Sequence, residues 1–163
     1  MGSFPQVRRG QATVPFLNMT TLYSIGYAAH SIDSFLDLLH ENRVTHIADV
    51  RDAPVSRKAG FGKNQLRQAL ADAGITYRHF PDLGTPKQLR DRWKAGAMDA
   101  ATFFGAYREH LLAVGLDDLA ALVEFAKAAP TAMLCLEADP RDCHRLIVGE
   151  EAAKRHRVRV VHL

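Results

Sequence analysis

The segment at 131–136, Thr-Ala-Met-Leu-Cys-Leu, constrains the fold more than any other feature of the chain. Its apolar run lacks the alternating polar positions of a strand that has one face in solvent. A strand that is apolar on both sides belongs in the middle of a parallel sheet, where helices cover both faces. We therefore predict a buried central strand here, with helices on either side of the sheet.

Strand and helix patterns alternate along the rest of the chain. Four further strands are predicted at 21–26, 44–50, 75–79 and 158–162, and helical patterns lie between them. Strands separated by helices are typical of parallel sheets built through right-handed crossovers. We predict an α/β fold of three layers, with a mostly parallel sheet and helices on both faces, as in flavodoxin-like or Rossmann-like domains. The pattern leaves the order of the strands open.

Polar residues indicate where several helices begin. Ser31 is the expected N-cap of the first helix, and Asp99 and Asp117 are expected to cap two later ones. Thr85 and Asp139 are each followed by proline, a residue that favours the first helical position. We therefore expect one helix to begin after Thr85 and the last long helix to open at Asp139.

Length and composition favour a single globular domain. The 163 residues are 47% hydrophobic and 24% charged, which allows a sizeable core without metals or disulfides. Residues 1–19 lack the continuous apolar segment of a secretory signal, and we predict a flexible N-terminal tail there, with one domain over 20–163. Because no apolar run of about 18 residues occurs, we expect neither a transmembrane helix nor a membrane partner.

Charge and cysteine content narrow the class of protein further. The formal net charge is +3 and the pI is about 9.0, which is only mildly basic for a nucleic-acid-binding domain. Two cysteines, Cys135 and Cys143, are too few for a disulfide scaffold, and we expect both thiols to be free. These features favour a cytoplasmic protein. They leave the oligomeric state open.

Polar and charged residues collect after the predicted strands. In open parallel sheets, ligands bind outside the carboxyl ends of the strands. These residues are therefore expected to share one rim of the sheet and to line a pocket there. The candidates for catalysis are Cys143, His144, Glu137 and Asp49, and the candidates for ligand binding are Arg51, Ser56, Arg57, His30, His79 and Arg145.

Cys143, His144 and Arg145 form the sharpest local feature. We expect them in the first turn of the helix that opens at Asp139, where unpaired N–H groups and the helix dipole attract anions. Arg141 and Arg145, four residues apart on one face of that helix, would favour a bound phosphate or carboxylate and a thiolate at Cys143. The alternative is that Cys143 is a small core residue.

Asp49 and Arg51 end the second predicted strand and point to the same side of it. The carboxylate could orient the guanidinium for a ligand, or the two could form a purely structural ion pair. The basic stretch 56–58, followed by glycines, is interpreted either as a loop that closes over an anion or as a solvated loop. His30 and His79 are either ligand-binding residues or hydrogen-bonded structural residues.

Metal binding is an alternative role for some of the candidate site residues. Cys135, Cys143 and His144, with a further histidine, could be assembled into one. The spacing Cys-x7-Cys-His is not a familiar zinc pattern, however, and Cys135 lies within an apolar strand. We therefore predict no metal and no other cofactor. Neither GxGxxG nor a P-loop pattern occurs, and Gly149 stands where a phosphatase-type cysteine loop needs an arginine.

Four ordered motifs stand out when the chain is viewed as a whole. They lie at 24–35, 48–57, 74–84 and 134–145. These motifs resemble those of the family called domain of unknown function 488 (DUF488), and the likeness covers roughly 20–163. The chain differs from the usual pattern at Tyr27, where histidine is common, and at Thr85, where another glycine is usual. The resemblance implies a compact α/β domain and no particular activity.

The leading hypothesis is an enzyme, or an enzyme-like pocket, that acts on a small anionic ligand such as a phosphorylated or nucleotide compound. Arginines of the rim would hold the anion, Cys143 would be the nucleophile, and His144, Glu137 or Asp49 would transfer protons. One alternative is a nucleic-acid-binding module, and another is a non-catalytic protein-interaction domain. The basic residues available to a nucleic-acid-binding module are Arg57, Lys58, Arg78, Arg90 and Arg92. A concave pocket favours the enzyme, whereas a flat basic face favours nucleic acid.

Overall fold

The computed structural model describes residues 19–163, which fold around one five-stranded sheet. The strands are β1 (Thr20–Gly26), β2 (His46–Asp49), β3 (Thr76–His79), β4 (Thr131–Cys135) and β5 (Val158–His162). The helices are α1 (Ile32–Glu41), α2 (Lys63–Asp72), α3 (Lys87–Lys94), α4 (Ala100–Val114), α5 (Leu116–Ala128) and α6 (Arg145–Arg155). The predicted N-terminal tail lies outside the described residues except for its last position.

All strand pairs in the sheet are parallel, and the strand order is β3-β2-β4-β1-β5. Every residue of β4 is buried, because β4 pairs with β1 on one side and β2 on the other. The prediction of a buried central strand is therefore confirmed. The register sets Leu134 opposite both Ile25 and Asp49, so the three strands end at one edge of the sheet.

Helices cover both faces of the sheet and complete the predicted three-layer architecture. Helices α1 and α2 pack on one face through buried residues such as Phe35 and Leu66. Helices α3 to α6 pack on the other face, with Tyr107, Leu122 and Val148 in the core. Each fully buried side chain of this size contributes about 1.5–3 kcal/mol to folding. Within residues 19–163, no helix has both the length and the apolar character that crossing a membrane requires.

The chain changes direction around β4, and this creates a crevice. Strands β1 and β2 lead into α1 and α2 on one face, whereas β4, which lies between them, leads into α6 on the opposite face. The segments leaving the carboxyl ends of these strands therefore diverge. In open α/β sheets this divergence produces the ligand-binding crevice.

Two of the predicted helix caps are confirmed, and two predictions at helix starts were wrong. The side chains of Ser31 and Asp99 accept hydrogen bonds from the backbone of the first turn of α1 and α4. Asp117 lies inside the first turn of α5, because the N-cap of that helix is Gly115, two residues earlier. Pro86, and not Thr85, occupies the N-cap position of α3.

The chain before α6 is broken, which corrects the prediction of one continuous helix from Asp139. Residues Pro140–Asp142 form a short 3-10 helix whose first turn is capped by the Asp139 carboxylate. Cys143 then adopts an extended conformation, with φ −129° and ψ 140°, and α6 begins at Arg145. The break separates Arg141, which is exposed, from Arg145, which is fully buried.

Candidate functional site

A cavity of about 390 Å³ opens at the crevice beside the carboxyl end of β4. Its sheet side is formed by residues that follow β1, β2 and β4, including Tyr27, Arg51 and Glu137. Its other side is formed by α3 and by Phe103 of α4. The cavity therefore lies where the strand order predicts a ligand site.

Two cysteines and a histidine meet at the inner end of this cavity. The Nδ1 atom of His144 lies 3.7 Å from Sγ of Cys135 and 3.8 Å from Sγ of Cys143. All three atoms lie within 4.8 Å of one another, so these residues could hold a metal ion. Cys135 ends β4, whereas Cys143 and His144 come from the break before α6. The carboxylate of Glu137 reaches this cluster, with Oε2 3.5 Å from the Cys135 sulfur.

The orientation of the His144 ring is fixed by contacts away from the two cysteines. Its Nε2 lies 2.9 Å from the backbone carbonyl of Val50, which can only accept a hydrogen bond, so Nε2 carries a proton. The ring of Tyr107 packs edge-on against it, with 5.1 Å between ring centres. In the neutral ring, Nδ1 therefore presents its lone pair to the two sulfur atoms.

The cluster perturbs the pKa values of its members. Burial alone disfavours a Cys143 thiolate, but a hydrogen bond from Cys135 and pairing with His144 outweigh burial and lower the pKa of Cys143. To donate to the thiolate, His144 takes up a second proton at Nδ1 and becomes an imidazolium. The neighbouring Cys143 and burial both raise the pKa of Cys135. Burial, together with the Cys143 charge, raises the pKa of Glu137. The site therefore combines an easily ionised thiol with a carboxyl group that holds its proton more tightly than usual.

A buried ion pair forms the wall next to the cluster. Asp49 accepts hydrogen bonds from Nε and Nη2 of Arg51 at 2.8 and 2.6 Å, and another from the Tyr77 hydroxyl at 2.6 Å. Arg51 also donates to the Tyr27 hydroxyl and to the Phe61 carbonyl. Burial works against the charge of Arg51, but the Asp49 carboxylate outweighs it and raises the arginine pKa. Four of the five guanidinium N–H groups are thus used within the protein, which leaves one for a ligand.

Arg145 has a different environment from the one the sequence predicted. Its guanidinium is fully buried and donates to the Ser24 hydroxyl and to the backbone carbonyls of Glu137 and Ala138. Gly26 lies against the same loop, because a Cβ at this position would lie 1.6 Å from the Glu137 carbonyl oxygen. Arg145 therefore holds the loop after β4, and its donors face protein atoms.

The predicted site residues divide between the cavity and its surroundings. The structure brings three of them to the cavity wall, namely Arg51, Glu137 and His144. Two lie behind that wall: Cys143, which is 1% exposed, and Asp49, which is fully buried. Their catalytic roles stay predictions.

The remaining predicted ligand-binding residues lie outside the cavity lining. Ser56 accepts a hydrogen bond from Tyr27, and His79 bonds to the backbone carbonyl of Arg51. His30 bonds to the side chain of Ser34. Arg57 is exposed. Ser56 and His79 therefore support the loops around the site.

The sequence interpretation missed the contribution of α3 and of Cys135. Lys87, Arg90 and Lys94 line the cavity together with Trp93, which is 39% exposed. Two of these cations pair with acids of the same cavity: Lys87 with Asp91, and Arg90 with an aspartate that follows β2. The basic residues at positions 87, 90 and 94 recur at helical spacing, and this pattern could have indicated that they share one face of a helix. Cys135 was set aside because its strand is apolar, yet its sulfur emerges at the strand end.

Comparison with known proteins agrees with the resemblance noted in the motifs. The family described as "Domain of unknown function DUF488" matches residues 31–152, well over half of the chain. A search of curated proteins and a search of solved structures each returned no match. The match spans β2 to β4 and the break before α6, and it therefore includes the whole cysteine–histidine cluster. The chain belongs to the DUF488 family.

Proposed function

We propose that this chain is an enzyme that binds a small phosphorylated, nucleotide-like ligand in the cavity and acts on it at the end lined by Cys135, Glu137 and His144. The observation that carries the proposal is the composition of the cavity. Cations and an aromatic ring lie on the α3 side, and a buried cluster of ionisable groups lies on the sheet side. Enclosed pockets with a few convergent polar groups and perturbed pKa values are typical of active sites.

The α3 side of the cavity suits an anionic group. Lys87, Arg90 and Lys94 extend into it from one helix face, and Arg51 approaches from the sheet. Lys94 has no ion-pair partner within residues 19–163, and Arg51 retains one N–H group. Hydrogen bonds between such cations and a phosphate contribute about 1.5–3 kcal/mol each. Two of them are enough to orient a phosphorylated ligand.

The α3 side of the cavity also exposes an aromatic surface on which a flat ring can stack. Trp93 packs on Phe103 with 4.9 Å between ring centres, and part of its indole is exposed at the cavity. A nucleobase stacked on an aromatic side chain gains about 1–3 kcal/mol. An aromatic surface beside three cations favours a ligand that carries both a ring and a phosphate.

The reacting end supplies proton transfer and a thiol. Glu137 and His144 line the cavity, and both have raised pKa values. Burial raises the pKa of Glu137, whereas burial opposes the charged His144 and its interactions with Cys143 outweigh burial and raise the pKa. Shifted pKa values of this kind are usual for general acids and bases. Of the two cysteines, Cys135 lines the cavity and Cys143 supports it from behind. The ligand would therefore meet Cys135 first, although the sequence favoured Cys143 as the nucleophile.

A nucleic-acid-binding role has less support. Arg78 lies on edge strand β3 with its guanidinium over the Phe80 ring, and Arg90 points into the cavity, where it pairs with Asp52. The basic residues that this role would use therefore do not share one flat face. Binding to duplex DNA that weakens steeply with salt would favour this alternative.

Calorimetric titration with adenosine monophosphate, adenosine and inorganic phosphate tests the proposal. We expect the monophosphate to bind more tightly than either fragment. Lys94→Ala should weaken its binding by roughly tenfold, which corresponds to about 1.4 kcal/mol. Arg92→Ala is the matched control, because it removes one positive charge from the same helix outside the cavity lining. Equal losses in the two variants, or no binding of any probe, would contradict the proposal.

A further inference from the structure

We propose that Cys135, Cys143 and His144 bind a divalent zinc-type metal ion with one coordination position open to the cavity. The sequence analysis considered these three residues, with a further histidine, as a metal site and predicted against it, because their spacing matches no familiar zinc motif. The assignment starts from the positions of three atoms that the fold brings together, Sγ of each cysteine and Nδ1 of the histidine.

The two sulfur–nitrogen separations in the cluster are close to those of tetrahedral coordination. Zinc binds sulfur at about 2.3 Å and imidazole nitrogen at about 2.0–2.1 Å. In a tetrahedral site these bonds place sulfur and nitrogen about 3.5–3.6 Å apart. The observed distances from Nδ1 of His144 are 3.7 Å to Cys135 and 3.8 Å to Cys143. The three atoms all lie within 4.8 Å of one another, so side-chain rotation can bring them around one metal ion.

The surroundings of His144 give a second, independent observation. Histidines that bind metals usually donate the N–H of the other ring nitrogen to a carboxylate or a carbonyl, which fixes the tautomer and the ring orientation. Here Nε2 donates to the Val50 carbonyl at 2.9 Å, and Tyr107 packs against the ring. The coordinating nitrogen is thus already directed at the two sulfur atoms.

The position of the cluster indicates a site with an open coordination position. Structural zinc sites use four protein ligands, whereas catalytic sites use three and leave the fourth position to water or substrate. Cys135 and His144 line the cavity, and Cys143 closes the cluster from behind. Glu137 lines the same cavity and lies 3.5 Å from the Cys135 sulfur. We assign it as a neighbour of the open position and not as a ligand.

A metal ion with an open position can activate water or polarise a ligand oxygen. This role in the reaction rests on the proposed function, because it requires a ligand in the cavity. In the metal-bound protein Cys135 and His144 would serve as metal ligands, and Glu137 would be the group left for proton transfer. Metal binding itself needs only the three side chains. The two proposals can therefore fail separately.

The test is a titration of the reduced, chelator-treated protein with Co²⁺ and Zn²⁺ in the absence of any ligand. We expect one equivalent of Co²⁺ to give the absorption of a tetrahedral cobalt–thiolate site, and one equivalent of Zn²⁺ to displace it. Cys135→Ser, Cys143→Ser and His144→Ala should each weaken binding at least tenfold. His79→Ala is the matched control, and Glu137→Gln should retain a full equivalent.

A second measurement on the unaltered protein covers the case in which a cysteine variant fails to fold. Zn²⁺ should slow alkylation of both Cys135 and Cys143 at least tenfold, with each modified peptide quantified by mass spectrometry. The proposal is overturned if no tetrahedral cobalt spectrum appears, or if the thiols react equally fast with and without Zn²⁺. Loss of metal binding in Glu137→Gln would show that Glu137 is a ligand, and it would overturn the assignment of an open coordination position. Metal binding that persists in Lys94→Ala separates this result from failure of the phosphate site.

Discussion

Replacing Arg145 with methionine tests whether this arginine is a structural residue of the site. Methionine keeps most of the side-chain length, so the main loss is three hydrogen bonds, to the Ser24 hydroxyl and to the carbonyls of Glu137 and Ala138. Hydrogen bonds from a charged donor contribute about 1.5–3 kcal/mol each. Relief of the buried charge offsets part of that loss. We expect a net destabilisation of about 3 kcal/mol.

Urea unfolding followed by circular dichroism measures this loss. The midpoint should fall while the slope stays constant, and a loss of this size lowers Tm by roughly 6–12 °C in a domain of this length. Arg141→Met is the matched control, because Arg141 is exposed and, within residues 19–163, its guanidinium hydrogen-bonds to its neighbour Asp139. An Arg145→Met protein as stable as the control would refute the structural role and would restore Arg145 as a candidate anion ligand.

Three further outcomes follow from other contacts. Gly26→Ala should lower the free energy of unfolding by about 3 kcal/mol or more, because its Cβ would collide with the Glu137 carbonyl; urea unfolding measures it, and an unchanged midpoint would contradict the close approach. Tyr77→Phe should cost about 1–3 kcal/mol in the same assay, because Asp49 loses a donor while buried; a neutral effect would mean that the hydroxyl bond is not formed. Glu151 is buried, which opposes its ionisation, but hydrogen bonds from two arginines outweigh burial and lower its pKa. Its ionised form therefore stabilises the protein above about pH 4–5, the range of an ordinary glutamate, and this contribution falls as the pH drops below it. In Glu151→Gln, the free energy of unfolding should therefore fall less steeply between pH 6 and pH 3 than in the unaltered protein. An equally steep fall in the two proteins would contradict this prediction.

The fold could be predicted from the sequence because its signals are local. The uninterrupted apolar run identified β4 as the central strand, and the alternation of periods identified the other strands. The rule that ligands meet the carboxyl ends of parallel strands then located the rim that holds Arg51, Glu137 and His144. None of these steps needed the order of the strands.

The remaining features depend on contacts between distant residues. The order β3-β2-β4-β1-β5 is set by packing between faces, and no local pattern encodes it. The break at Cys143 was missed because Asp139 followed by proline is equally typical of a 3-10 turn. Arg145 resembled an anion ligand because its partners are backbone carbonyls, which leave no trace in the sequence. The cysteine–histidine cluster combines Cys135, at the end of β4, with Cys143 and His144, which lie in the break before α6. The spacing of these residues in the sequence therefore matches no recognisable motif.

Anomalous diffraction at the zinc absorption edge, from crystals grown with Zn²⁺ and adenosine monophosphate, is the most direct test that this crevice is the active site. We predict one strong anomalous peak between Cys135, Cys143 and His144, with the phosphate of the ligand on the α3 side near Lys94. A peak elsewhere, a disulfide joining the two cysteines, or a cavity without the nucleotide would contradict the assignment of this crevice as the active site.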